Sequence, residues 1–198
     1  MKKRIVVLFL VSVIGISSAF SAFSSMSTSN GRNQVIGNVF FLQTLSENVN
    51  ASSIGASAFY HNKMSDSIGI YANVGVGNPL AFSFKDVAGS FTNTVAVIIQ
   101  TGPYYIIPIN DVMLVKAGAG INLSLLGAAA GGAEYTSISV GAGAMGSFEY
   151  EVIPRINLVG SLTLGLDVKT WLNKAGVTTN TGGIVFNMMP SIGVSYHF

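Results

Sequence analysis

The chain has 198 residues, with 10 Lys and Arg, 8 Asp and Glu, and no cysteine. Without cysteine it builds neither disulfides nor a thiolate metal site, and lipid attachment at a cysteine is excluded. Charged residues are 9% of the total, against about 25% in ordinary soluble domains, so a surface of usual polarity is excluded as well.

The start reads Met1-Lys2-Lys3-Arg4, then an apolar run through Ile16 and a small-residue exit at Ser17, Ser18 and Ala19. That order is a secretory signal peptide, expected over 1–22, with a polar leader over 23–32. The competing reading is an uncleaved anchor, which would just reach the ~18–20 residues of a spanning helix. Without Lys2, Lys3 and Arg4, seven basic residues face eight acidic ones, so the basic balance belongs to the leader and nothing points to nucleic acid. Beyond this segment no apolar run is long enough for a membrane helix, although 49% of residues are hydrophobic.

The rest alternates with a period of two, the mark of strands with unlike faces. The first strand is expected over 33–44, with ambiguous parity because Val35, Val39 and Phe41 compete with Ile36, Phe40 and Leu42. The second runs over 52–60 and ends in a polar turn from His61 to Asp66. The third, 67–76, sets Ile68, Ile70, Ala72, Val74 and Val76 against Gly69, Tyr71, Asn73 and Gly75. A long loop over 77–93 precedes a fourth strand over 94–106. The fifth, 112–125, carries Lys116 on its small and polar face, and a Gly- and Ala-rich loop over 127–135 follows.

The sixth strand, 136–150, places Glu149 among serines and glycines; the seventh, 156–169, does the same for Asp167 and Lys169. A loop over 170–181 leads to the eighth, which runs to the last residue with Ile184, Phe186, Met188, Ile192, Val194, Tyr196 and Phe198 on one face. Connections are expected to be tight after strands two, four and six and mostly longer after three, five and seven. An even number of alternating strands in a greasy secreted chain predicts an all-β, eight-stranded antiparallel up-and-down transmembrane β-barrel over 33–198, both termini on the periplasmic side.

A final Phe198 with Tyr196, Val194 and Ile192 before it resembles the terminal strand of bacterial outer-membrane barrels. The resemblance implies that these four residues are an insertion signal for the barrel-assembly machinery. Over the mature length the chain resembles small outer-membrane proteins of the OmpA transmembrane-domain, OmpX and OmpW type, which implies a place in the outer membrane with lipid around the wall.

The apolar face is expected outside, because the other face is mostly Gly, Ser, Asn and Thr, far short of the ~25–35% charge that a soluble surface needs. Tyr60, Tyr105, Phe148, Tyr150, Tyr196 and Phe198 share the outward parity near the periplasmic ends, as an interfacial belt would. Trp171 breaks the pattern with inward parity. Pro190 breaks it by lacking an N–H, which predicts a local bulge. Inward glycines, among them Gly55, Gly75, Gly143 and Gly165, leave room for a wet cavity.

Catalytic chemistry is sparse. His61 and His197 are far apart along the chain, which makes neither a metal site nor an outer-leaflet catalytic pair, and no cofactor is called for. The candidate site residues are the lumenal charges Lys116, Glu149, Asp167 and Lys169. Lys116 and Glu149 either pair across the bore near the periplasmic end and block or gate it, or stand separately hydrated. The first functional reading is a non-enzymatic structural or surface barrel, meeting extracellular ligands through loops 77–93 and 170–181. The second is a narrow channel for small or hydrophobic solutes, and the remote third is lipid A modification. Leu80, Phe82, Phe84 and Phe91 in the first loop either meet such ligands or dip into the outer leaflet.

Overall fold

Alternation along each segment closes into a wall in the computed structural model of the chain, which describes residues 32–85, 87, 90–174, 176–181 and 183–198, with backbone alone at 169, 170 and 178–181. The expected signal peptide and all of the leader but Arg32 lie outside the described residues. The strands are β1 (Asn33–Ser46), β2 (Val49–Lys63), β3 (Ile68–Phe84), β4 (Thr92–Asn110), β5 (Met113–Ala130), β6 (Ala133–Ile153), β7 (Ile156–Lys174), β8 (Val177–Thr181) and β9 (Val185–His197). Each of β1 to β7 pairs antiparallel with the next, β9 pairs with both β7 and β1, and the ring is closed. β8 pairs with β7 from Lys174↔Val177 to Thr170↔Thr181 and continues upward the stave that β9 occupies below, so the wall has eight staves.

Both ends of the barrel meet at one rim, here the terminal rim. Asn33 N donates to Phe198 O over 3.2 Å, and Phe198 N donates to Asn33 O over 2.9 Å. The connections 64–67, 111–112 and 154–155 share this rim.

Outward rows are apolar and open, with Val39 61%, Ile121 63% and Ile192 65% exposed, while inward Asn73, Gln100, Asn122 and Asn187 are fully covered. The ambiguous parity of β1 resolves with Ile36, Phe40 and Leu42 inward. Staves of 13 to 21 residues exceed the ~9–11 that cross a bilayer, so hairpins project beyond it.

That projection corrects three expected loops. The segment 127–135 forms strand instead, with β5 and β6 running to a two-residue turn at Gly131 and Gly132. Their φ values of 56° and 84° suit the tight hairpin turn that glycine favours. In the same way β3 extends to Phe84, leaving a connection over 85–91, and β7 with β8 makes a hairpin of 170–181. The expected contrast of tight and long connections is therefore absent at β5–β6 and β7–β8, where the length went into paired strands.

Two misfits find causes. The β6–β7 register shifts between Val140↔Lys169 and Gly141↔Asp167, so Val168 is an extra residue and the phase reverses above it. Trp171 therefore pairs with Ile138 in the outward row, and Leu172 turns inward at 2% exposure. Pro190 carries no bulge: β1 and β9 hold one register from Phe40↔Ser191 to Gln43↔Met188 and skip the pairs between. Tyr60 departs from the expected belt. It sits in the outward row but is buried, its hydroxyl donating to Asn33 Oδ1 over 2.6 Å.

Candidate functional site

The terminal half of the lumen is filled by one network with a part from every stave. β5 contributes Lys116, whose Nζ lies 2.7 Å from Glu149 Oε1 on β6. The same ammonium donates to Gln34 Oε1 on β1 and lies 3.1 Å from His61 Nδ1 on β2. Glu149 Oε1 and Gln34 Oε1 accept two of its three N–H groups. His61 Nδ1 also lies 3.1 Å from Gln34 Oε1, so it accepts from Lys116 or donates to Gln34 according to the imidazole tautomer.

Glu149 is equally well held. Its Oε2 accepts from Gln34 Nε2 at 2.7 Å and from Asn157 Nδ2 of β7 at 3.1 Å. Asn157 Nδ2 also lies 3.0 Å from His197 Nε2 on β9, and that nitrogen is 3.9 Å from Glu149 Oε2. Tyr104 of β4 covers the cluster, with its ring centroid 5.5 Å from Lys116 Nζ and 4.9 Å from the His61 ring. Gly69 of β3 completes the circle by having no side chain, because a Cβ there would strike the Tyr104 ring.

Roughly 14 Å further along the axis, six residues up β5, a second network surrounds Asp167. Asn122 Nδ2 donates to Oδ1 over 2.8 Å, the hydroxyls of Ser124 and Ser139 lie 2.8 Å from Oδ2, and Asn187 Nδ2 is 3.0 Å from Oδ2. Thr44 Oγ1 donates to Asn187 Oδ1 over 2.7 Å, which fixes the amide. Four donors converge on this carboxylate, a charge-assisted arrangement that keeps its oxygens occupied.

Between the networks, the room expected beside the inward glycines is taken by inward side chains of neighbouring and next-but-one strands. Phe40 presses on Gly55, Gly75 and Gly77, the Gln100 amide lies over Gly143, and the Asn122 amide lies over Gly165. Gln100 Nε2 reaches Leu164 O at 3.1 Å. The lumen here is packed.

The far rim is apolar. Phe84 is buried and packs with Phe82, Phe91 and Tyr135 at ring-centroid distances of 5.5 to 6.4 Å, and Phe82 lies 5.0 Å from Phe91. Of the four aromatic or apolar residues expected at ligands or lipid, only Leu80 is widely exposed. Lys85 ties this connection down by pairing with Glu47 at 2.7 Å, and Lys174 Nζ donates to Lys85 O over 2.7 Å. The bridge lowers the Glu47 carboxyl below its usual value, through its hydrogen bond and then its charge.

Below the rim the wall has a seam. Pairing of β3 with β4 stops at Gly77↔Ala96, yet β3 runs on against β2 to Phe84↔Val49 and β4 runs back against β5 to Thr92↔Ala129. Pro79 has no N–H to offer. Thr94 Oγ1 spans the gap, 3.0 Å from Asn78 Oδ1 and 3.4 Å from Pro79 O.

The structure thus brings Lys116 and Glu149 together and places Asp167 apart from them. Lys169 is paired through its backbone with Val140, and its side chain lies outside the described residues. Ile192, Val194 and Tyr196 line the outer wall, and Phe198 stacks on Tyr196 with centroids 6.3 Å apart. Gln34, His61, Asn157, His197 and Tyr104 were not anticipated. His61 was expected in a turn, but β2 continues to Lys63 and carries it inward. Parity was the available signal: Gln34 is in step with Ile36, and its backbone pairs with both His61 and His197. Among the described residues no three His, Cys, Asp or Glu side chains are grouped to hold a metal.

No protein-family model and no curated protein matches the sequence. Solved structures do match. Neisserial surface protein A aligns at TM-score 0.62 and 16% identity, over 86% of this chain and 100% of that one. OprG from Pseudomonas aeruginosa aligns at 0.62 and 13%, over 85% and 97%. Outer membrane protein AlkL, determined in lipid bilayers, aligns at 0.59 and 15%, over 87% and 93%. The fold is that of the small eight-stranded outer-membrane barrels.

Proposed function

We propose that the chain is a non-enzymatic barrel of the outer membrane, with its lumen closed and its work done by the wall and the far rim in a structural or surface-interaction role. The carrying observation is the Lys116–Glu149 network, which takes a side chain from seven of the eight staves and buries the Lys116 and Glu149 charges. In this reading both termini face the periplasm, and Ile192, Val194, Tyr196 and Phe198 present the insertion signal to the barrel-assembly machinery. The projecting hairpins and the 85–91 connection are then the surface that meets extracellular ligands. Planar-bilayer recording of the refolded protein tests it: a silent membrane is expected, and stable unitary steps altered by Lys116→Ala would overturn it.

A second reading, passage of small apolar solutes, is favoured by the β3–β4 seam below the Phe82, Phe84, Phe91 and Tyr135 cluster. On this reading solute enters at the far rim and leaves through the wall, and the plugged terminal half stays closed. Joining Asn78→Cys to Thr94→Cys by a disulfide tests it. Loss of apolar dye transfer into proteoliposomes on oxidation, restored on reduction, supports passage; equal transfer in both states removes it.

A further inference from the structure

The lipid-facing wall is not evenly studded with large side chains. Across β5, β6 and β7 it carries a shallow, open depression beside Val115, Phe148 and Leu162, with Gly146 and Gly160 in its lining. Both glycines point outward, and a Cβ added to either would meet nothing within 4 Å. The inward glycines are different, since a Cβ on any of Gly55, Gly143 or Gly165 would strike an atom of a nearby strand at under 3 Å. Glycine within a strand gives up entropy and apolar contact, and it recurs where a ligand comes close to the backbone.

The depression is continuous with the lipid belt, so the bilayer itself supplies its occupant. A flexible methylene chain can follow the depression between Phe148 and Leu162. On the same β6–β7 hairpin Arg155 stands exposed at the terminal rim, with a φ of 71° and no ion pair among the described residues. Gly160 is five residues up β7 from Arg155, roughly 12 Å deeper into the membrane. That offset suits a phosphate at the guanidinium and the upper part of an acyl chain over Gly160.

We infer that the β6–β7 face is a phospholipid site, with the phosphate on Arg155 and one acyl chain laid over Gly160 and Gly146. It is independent of whether the barrel transports anything.

The probe is phosphatidylglycerol with a diazirine midway along one chain, present in trace amounts in phosphatidylcholine vesicles that hold the refolded barrel. Irradiation should concentrate adducts at Phe148 and Leu162, above the level at Ile54 and Ile70 on the opposite wall. Gly146→Leu with Gly160→Leu fills open space and should abolish that excess. Arg155→Gln should lose the preference for phosphatidylglycerol over a diazirine diacylglycerol, while labelling by the diacylglycerol persists. Adducts spread evenly around the belt, an excess that survives the filled depression, or barrel-to-barrel adducts at Phe148 would each overturn the site.

Discussion

Lys116 brings a full charge into a place closed to solvent, and it is stable there because Glu149 and Gln34 accept hydrogen bonds from its ammonium beside His61. Removing one member of such a pair strands the other, at a cost of ~3–5 kcal/mol. Lys116→Met or Glu149→Leu alone should therefore lower unfolding free energy by about that much. The double variant, which leaves no charge stranded, should recover most of the loss in a urea-unfolding cycle. Exposed Glu47 behaves otherwise. Its folded carboxyl is depressed by Lys85, so the bridge contributes fully above the usual value of 4.5 and is lost as pH falls below it. The chemical shifts of the Lys85 side chain should move in that acidic window, and Glu47→Gln should abolish the step.

Among the elements, β9 shows how a rule is met by omission. Pro190 interrupts the β1–β9 ladder without shifting it, so the backbone of Phe41 stands opposite a residue with no N–H. Pro190→Val should restore one ladder bond and raise stability by ~0.5–1.5 kcal/mol, measured by urea unfolding. Thr94 plays the complementary part at the β3–β4 seam, where a side chain stands in for a missing backbone pair. How far such elements can be read from sequence depends on whether their cause is local. The alternation of Ile68, Ile70, Ala72, Val74 and Val76 fixes its own faces. The Ala-rich end of β5 does not, because its strand form comes from β4 and β6 lying on either side of it. The single extra residue at Val168 is visible only against β6, and so the phase of Trp171 was misread.

At the scale of the whole molecule, the barrel and its greasy exterior were legible because charge is scarce and the period is sustained over every stave. The site was legible only in part. Lys116 and Glu149 share a face of adjacent strands, so their meeting follows from one hairpin. Gln34, Asn157 and His197 reach them through closure of β1 on β9 and of β9 on β7, contacts far apart in sequence that no local pattern encodes. The Asp167 cluster, with Thr44 and Asn187 supplied from β1 and β9, is non-local for the same reason.

That dependence on closure bears on how the chain enters a membrane. Until the first and last staves join, Glu149 lacks Gln34 and His197, and an open sheet would carry a poorly compensated ammonium and carboxylate toward oil. On the outer-membrane reading proposed above, hydrocarbon would reject the unfinished ribbon and admit the finished hoop, so that two ionic side chains facing the lumen would police assembly.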